Sequence, residues 1–227
     1  MARRKQSRGK CAFCGREMTK GGLSKHLSSC SQRQETIDAA NAKRGAAKQL
    51  YHLQVQDAWS PDFWLHLEMN GDATLQDLDY YLRAIWLECC GHLSRFSFGG
   101  WGGGEIAKET RIDRIFEPGV ELTHIYDFGT SSETLIKAVR AREGKPLTAH
   151  PIMLMARNNT PEVVCVECGK PAAYLCMECL YEYDEPGWLC AEHAETHPHD
   201  NYGDPVPLVN SPRLGMCGYD GPAEPPY

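Results

Sequence analysis

The chain has 227 residues, 42% of them hydrophobic and 24% charged, which suits a packed domain with smaller attachments and excludes a disordered protein. No apolar run approaches the roughly 18–20 residues of a bilayer crossing, and the basic opening MARRKQSRGK meets CAFCGREM without a signal-type hydrophobic region, so no membrane partner is expected and the expected location is the cytoplasm. The net charge of −6 divides into +9 over residues 1–50 and −15 over the remainder, an anion-facing arm on an acidic body.

Eleven cysteines in a reducing compartment argue against a disulfide framework. Eight of them lie in C-x2-C pairs or beside suitably spaced histidines, which points to zinc. The first group, CAFCGREMTKGGLSKHLSSC, has the form C-x2-C-x11-H-x3-C and supplies Cys11, Cys14, His26 and Cys30. A C-x2-C turn puts two thiolates on one knuckle, and a His and a Cys four apart share a helical face, so the pairs can converge on a tetrahedral ion. Met18 and Leu23 fall where a ββα finger keeps its core hydrophobes, and the segment resembles the C2H2 finger class with Cys in place of the last His. That resemblance makes Thr19, Lys20, Gly21, Gly22 and Lys25 the base-facing positions. Glycines there reach no base edge, so sequence-specific reading of DNA is not expected. Weak, salt-sensitive phosphate contact by DNA or RNA is expected through Arg3, Arg4, Lys5, Arg8, Lys10, Arg16, Lys20 and Lys25. Residues 1–32 are thus a basic arm and finger, and 33–49, rich in Ala, Gln and charge, a partly helical linker.

From residue 50 to 157 the pattern is that of a packed α+β domain with an antiparallel sheet. Tyr51, Leu53 and Val55, then Phe63, Leu65 and Leu67, alternate with polar residues as a strand pair. TLQDLDYYLRAIWLECCGHL switches to helical spacing, with Leu75, Leu78, Leu82, Ile85 and Trp86 on one stripe, a Thr74/Asp77 capping box and Gly91 as the stop. Cys89, Cys90 and His92 at its end read as packing residues rather than a site. The glycine-rich loop at FSFGGWGGGE lacks the lysine and hydroxyl of a phosphate cradle. A Pro118-Gly119 turn and two strands about DFGTSSE follow. The helix, EPG before a strand, and YDFG resemble the plasmid pRiA4b ORF-3-like family, found in plasmid- and transposon-associated prokaryotic proteins. Members commonly continue Y-D-F-G-D-x-W-x-H, whereas here Thr130, Ser131, Ser132, Glu133 and Thr134 follow Gly129, so Asp127 reads as a backbone-capping residue. Acids such as Asp57 and Asp62, or Asp77 and Asp79, are expected on loops and helix surfaces.

Residues 158–202 read C-x2-C-x7-C-x2-C-x10-C-x2-H-x3-H-x-H, offering Cys165, Cys168, Cys176, Cys179, Cys190, His193, His197 and His199 to two tetrahedral ions. The spacing leaves two schemes open: the first four cysteines share one ion, or the pairs cross. Order and spacing resemble B-box-type modules, which implies the crossed scheme. Acidic neighbours favour a protein partner, with Tyr181, Tyr183 and Trp188 as candidate anchors. Residues 203–227, rich in Pro and Gly, form an extended tail that lies back across the body before fraying. The whole is expected to be a three-zinc accessory binding protein of mobile-element type with no catalytic residue. The competing class is a nucleic-acid-processing enzyme with its site around Asp127 and the Cys90/His92 helix end.

Overall fold

In the computed structural model, which describes residues 6–227, the first C-x2-C knuckle closes a short hairpin of β1 (Arg8–Cys11) and β2 (Glu17–Thr19). Gly15 takes the turn at φ 69, a conformation that a side chain would oppose. In α1 (Lys20–His26), Thr19 Oγ1 caps the first turn by accepting from Gly22 N at 3.3 Å. The hairpin is continuous with the body, because the free edge of β1 pairs with β9 (Ile152–Asn158), placing Cys11 opposite Ala156. Gly9 permits that approach: a Cβ there would overlap the Arg157 carbonyl oxygen and come within 2.6 Å of Trp64 Cη2.

The predicted strand pair forms as β3 (Lys48–Asp57) and β4 (Trp64–Asn70), antiparallel with Leu53 opposite Leu67. With β5 (Ser94–Ser97), β6 (Glu105–Ile106), β7 (Glu121–Tyr126) and β8 (Ser132–Gly144) they build a nine-stranded antiparallel sheet in the order β2-β1-β9-β4-β3-β8-β7-β5-β6. The fold is α+β. One face carries Tyr51, Leu53, Val55, Leu65, Leu67 and Met69 against α3 (Leu75–Leu82), whose Leu75, Leu78 and Leu82 are fully buried. Thr74 and Asp77 form the expected capping box. The α-helix ends before the predicted Gly91: a π-helical turn over Arg83–Leu87 widens it, and the chain turns extended at Glu88. Arg83 secures that ending, donating from Nη1 to Glu88 Oε2 at 2.6 Å and from Nη2 to the His92 carbonyl at 2.7 Å.

Alternation in β4 predicts a solvated second face, yet Trp64 and His66 are fully buried and Glu68 nearly so. The finger covers that face. Leu23 and Leu27 pack with Trp64, Met155 and Ala156 in a shared core. Residues 33–49 are not a free linker either, since α2 (Ser31–Asn41) lies against the body, with Arg33 Nη2 2.7 Å from Glu68 Oε2 and Asn41 Oδ1 accepting from Lys145 N at 2.9 Å. A unit of this size with little core of its own thus borrows one from the sheet.

Two buried histidines tie finger to sheet: His66 Nε2 lies 3.1 Å from the Lys20 carbonyl oxygen, and His66 Nδ1 lies 2.8 Å from His52 Nε2. The carbonyl can only accept, so His66 donates from Nε2 and receives the His52 proton at Nδ1, with both rings neutral. Burial drives both pKa values down, His66 to about 4 and His52 to about 3, the latter helped by the His66 ring and the Arg33 and Arg140 charges. The folded value lies below the unfolded one, so the contribution is complete above about pH 6.5 and is lost as pH falls toward 4. Between pH 7 and pH 5, urea unfolding should show the wild type losing on the order of 2 kcal/mol relative to His52→Gln. A pH-independent difference would contradict the neutral pair.

The last segment forms β10 (Tyr174–Leu175), α4 (Met177–Glu182), β11 (Trp188–Leu189), α5 (Ala191–Thr196) and β12 (Val206–Pro207), the strands ordered β11-β10-β12. Beyond it the tail packs on the body through to Tyr227. Ser211 Oγ donates to the Trp86 carbonyl at 2.6 Å, Arg213 is fully buried, and the Tyr227 ring stacks on His150 at 4.1 Å. No helix among the described residues is long and apolar enough to cross a membrane.

Candidate metal centres

All twelve predicted ligands fall into three groups of four, and within each group the donor atoms lie within 4.8 Å of one another. Cys11 ends β1, Cys14 sits in the following turn, His26 closes α1 and Cys30 caps α2, so hairpin, helix and helix start converge as the spacing requires. Cys14 Sγ is 3.2 Å from His26 Nε2. Burial pushes the Cys11 thiol up to about 11.

The carboxy-terminal ligands sort into Cys165, Cys168, Cys190 and His193, and Cys176, Cys179, His197 and His199. This is the crossed arrangement. Two of the cysteines start helices, Cys176 at α4 and Cys190 at α5, so each helix start fixes one donor of a different group. Cys168 Sγ and Cys190 Sγ are 3.8 Å apart, and sulfur to imidazole separations run from 3.2 Å (Cys179 to His197) to 3.7 Å (Cys176 to His199). A tetrahedral zinc with bonds near 2.3 Å to sulfur and 2.0 Å to nitrogen separates its ligands by about 3.8 Å for two thiolates and about 3.5 Å for thiolate and imidazole. The clusters are compatible with zinc in both donor chemistry and spacing. Around Cys165, burial is outweighed by the backbone N–H groups of Cys190, Glu167 and Cys168 and by the His193 ring, so its thiol falls to about 6.

Sequence spacing gave no sign of Glu167 as a participant. Its Oε1 lies 3.1 Å from His197 Nδ1 and orients that ring, and its Oε2 lies 3.8 Å from His193 Nε2, so one carboxylate stands beside a histidine of each group. Tyr183 stacks on His199 at 4.9 Å between ring centres.

Of the basic residues singled out for nucleic acid, Arg3, Arg4 and Lys5 lie outside the described residues. Arg8, Lys10, Arg16 and Lys25 are exposed on the finger, and Arg8 donates to the Glu17 carbonyl at 2.7 Å. Lys20 is half-buried, and desolvation lowers its pKa.

Three acids of the body depart from expectation, the first being Asp57, which ends β3, is buried and accepts from Trp59 N at 3.0 Å. Asp79, expected on a helix surface, is buried and accepts from Ser94 Oγ at 2.6 Å and Arg83 Nε at 3.0 Å, with His124 Nε2 at 2.7 Å and Lys108 Nζ at 3.1 Å. Burial alone would raise its pKa, but the His124, Ser94 and Arg83 partners outweigh that and hold it below the usual carboxylate range. The carboxylate is the hub, and both Ser94 and His124 bond to it. The serine therefore has its hydrogen bond directed to an acid rather than to a general base, an arrangement that locks α3 to β5 and β7. Asp127 does cap the turn, accepting from Gly129 N at 2.9 Å, but it is also buried and paired with Arg213 Nη2 at 2.7 Å.

No family model matches the sequence, and no curated protein matches it. Among solved structures, a protein of unknown function from Methanosarcina mazei Go1 is similar at a TM-score of 0.42 and 17% identity, over 56% of this chain and 78% of that one.

Proposed function

We propose that the chain is a zinc-scaffolded binding protein without a reaction of its own, a cytoplasmic accessory factor of the plasmid and mobile-element type that its body resembles. One observation carries the reading. Each of the three groups is a full set of four sulfur and nitrogen donors, leaving an ion no position for water or substrate. Three zinc ions in such closed shells act as scaffold. The basic finger edge then meets DNA or RNA phosphates through Arg8, Lys10, Arg16 and Lys25, weakly because the contacts are few and the rest of the chain is acidic. The carboxy-terminal module meets a protein partner, with the exposed Tyr181 and Tyr183 as aromatic anchors beside Glu182, Asp184 and Glu185.

Fluorescence anisotropy of labelled DNA and RNA tests the nucleic-acid half. At about 50 mM salt the full chain should bind with an affinity that falls on a log–log salt plot by roughly 0.9 per phosphate contacted on duplex DNA. Replacing Arg8, Lys10, Arg16 and Lys25 together by Gln should weaken that binding and flatten its salt dependence without loss of zinc. Absence of binding by the wild type at low salt would overturn this half and leave a protein-binding scaffold. A second reading, a nucleic-acid-processing reaction in the body, draws on the approach of His92 Nε2 to Asp127 Oδ2 at 3.5 Å. It requires metal-dependent cleavage that Asp127→Asn removes from a folded chain.

A further inference from the structure

The three cysteines outside the candidate zinc groups come from two segments far apart in sequence, Cys89 and Cys90 from the helix end and Cys217 from the tail, yet all meet at His92. One set of donor atoms within 4.8 Å of one another comprises Cys89, Cys90 and His92, and a second comprises His92, Asp127 and Cys217. His92 Nε2 is buried with no hydrogen bond, although a ring nitrogen in such a place ordinarily has a partner. Two backbone outliers aim at the same spot. Asp127 has φ 63 and Cys217 φ 53, left-handed values that cost a β-carbon-bearing residue free energy, more for cysteine than for aspartate. Gly215 at φ 85 and Gly218 at φ 73 bend the tail around Cys217. Strain gathered at one cluster is a mark of functional sites.

The fully buried Arg213 binds the cluster together. Its Nη2 lies 2.7 Å from Asp127 Oδ2 and 3.5 Å from Cys217 Sγ, and its Nε lies 3.4 Å from Cys89 Sγ. A guanidinium donating to two sulfurs from a dry site suits sulfur that carries negative charge, as a metal-bound thiolate does. A carboxylate and a thiolate brought this close crowd negative charge, which Arg213 and a bound cation together offset. Asp127 Oδ2, 3.5 Å from His92 Nε2 and 3.7 Å from Cys217 Sγ, is spaced from both as ligands of one tetrahedral ion are.

From this convergence we propose a fourth cation site, in which His92, Asp127 and Cys217 hold a thiophilic divalent ion of the zinc class, with Arg213 as an outer partner and the Cys89-Cys90 thiols beside it. Cys90 and Cys217 are exposed, so the ion reaches solvent and exchanges faster than the ions of the three closed groups. The site clasps the tail to the body, because its donors come from both.

The test is native mass spectrometry of the reduced, zinc-replete full chain, comparing the wild type with Cys217→Ser and His92→Gln. Each variant should carry one zinc fewer than the wild type, and a mild chelator should remove that same single equivalent from the wild type first. Equal zinc in wild type and variants would overturn the site, whatever the total. Because the readout is a difference of one ion, it is separate from the number held by the three closed groups. Cobalt(II) loading gives a check independent of occupancy in cells: the wild-type minus Cys217→Ser spectrum should contain a thiolate-to-cobalt charge-transfer band, and a flat difference spectrum in a folded variant would also overturn the proposal.

Discussion

Cys11→Ser is expected to unfold more than the finger. Cys11 is at once a ligand candidate and a rung of the main sheet, opposite Ala156 on β9, and the helix its group positions supplies Leu23 and Leu27 to the core around Trp64 and Met155. A structural zinc in a finger peptide is worth on the order of 10–16 kcal/mol, comparable to the whole stability of an ordinary domain, about 5–15 kcal/mol. Its loss would strip the cover from a face bearing buried His52, His66 and Glu68. Urea unfolding should show a large fall in midpoint, and amide exchange should quicken along β9 and β4 as well as β1. Unchanged protection in β4 would mean that the finger contributes nothing to the sheet it covers. Cys190→Ser gives the contrast: its effect should stay within the carboxy-terminal module and spare β4.

The second large effect is expected from Arg213→Ala. Asp127 is buried, accepts from the Gly129 N–H, and has Arg213 as its close cationic partner. Burial tends to raise its pKa, but the Gly129 N–H and the Arg213 pair prevail and hold it low. The pair therefore stabilises the fold above the ordinary carboxylate pKa of about 4, and that contribution is lost as pH falls through the lower folded value. Removing the arginine takes the closest cation from a buried carboxylate, a loss of about 3–5 kcal/mol at neutral pH, and Arg213 also bonds the Thr130 carbonyl at 2.9 Å. Equilibrium unfolding measures this, and Asp127→Asn in the same background should recover part of it. A loss below about 1 kcal/mol would show that the tail is held by other contacts.

The metal-ligand candidates were legible because spacing is a local property: a C-x2-C knuckle and helix-spaced Cys and His residues announce their geometry within a dozen residues. The strand pair β3 and β4 and the capped start of α3 were legible for the same reason. What escaped depends on distant partners. His66 and Glu68 read as a solvated strand face because nothing in β4 reveals that α1 and α2 will cover it. Asp79 read as a surface acid on its helix until Ser94, Lys108 and His124 closed around it from three later segments. Cys89, Cys90 and His92 carried no ligand spacing of their own, since Cys217 and Arg213 reach them only when the tail folds back. Glu167 looked like one acid among many, and only the crossing of the two carboxy-terminal groups puts a histidine of each beside it.

The central claim is that thiolate and imidazole shells hold the finger in place on the core it shares with the sheet and fold the carboxy-terminal module, which has few apolar residues of its own. Elemental analysis of the purified, reduced full chain, paired with amide exchange before and after a tight chelator, tests it most directly. The account predicts at least three zinc ions per chain and, once they are removed, rapid exchange in β1, α1, α4 and α5. A chain that holds no metal and keeps those segments protected in the chelator would contradict it.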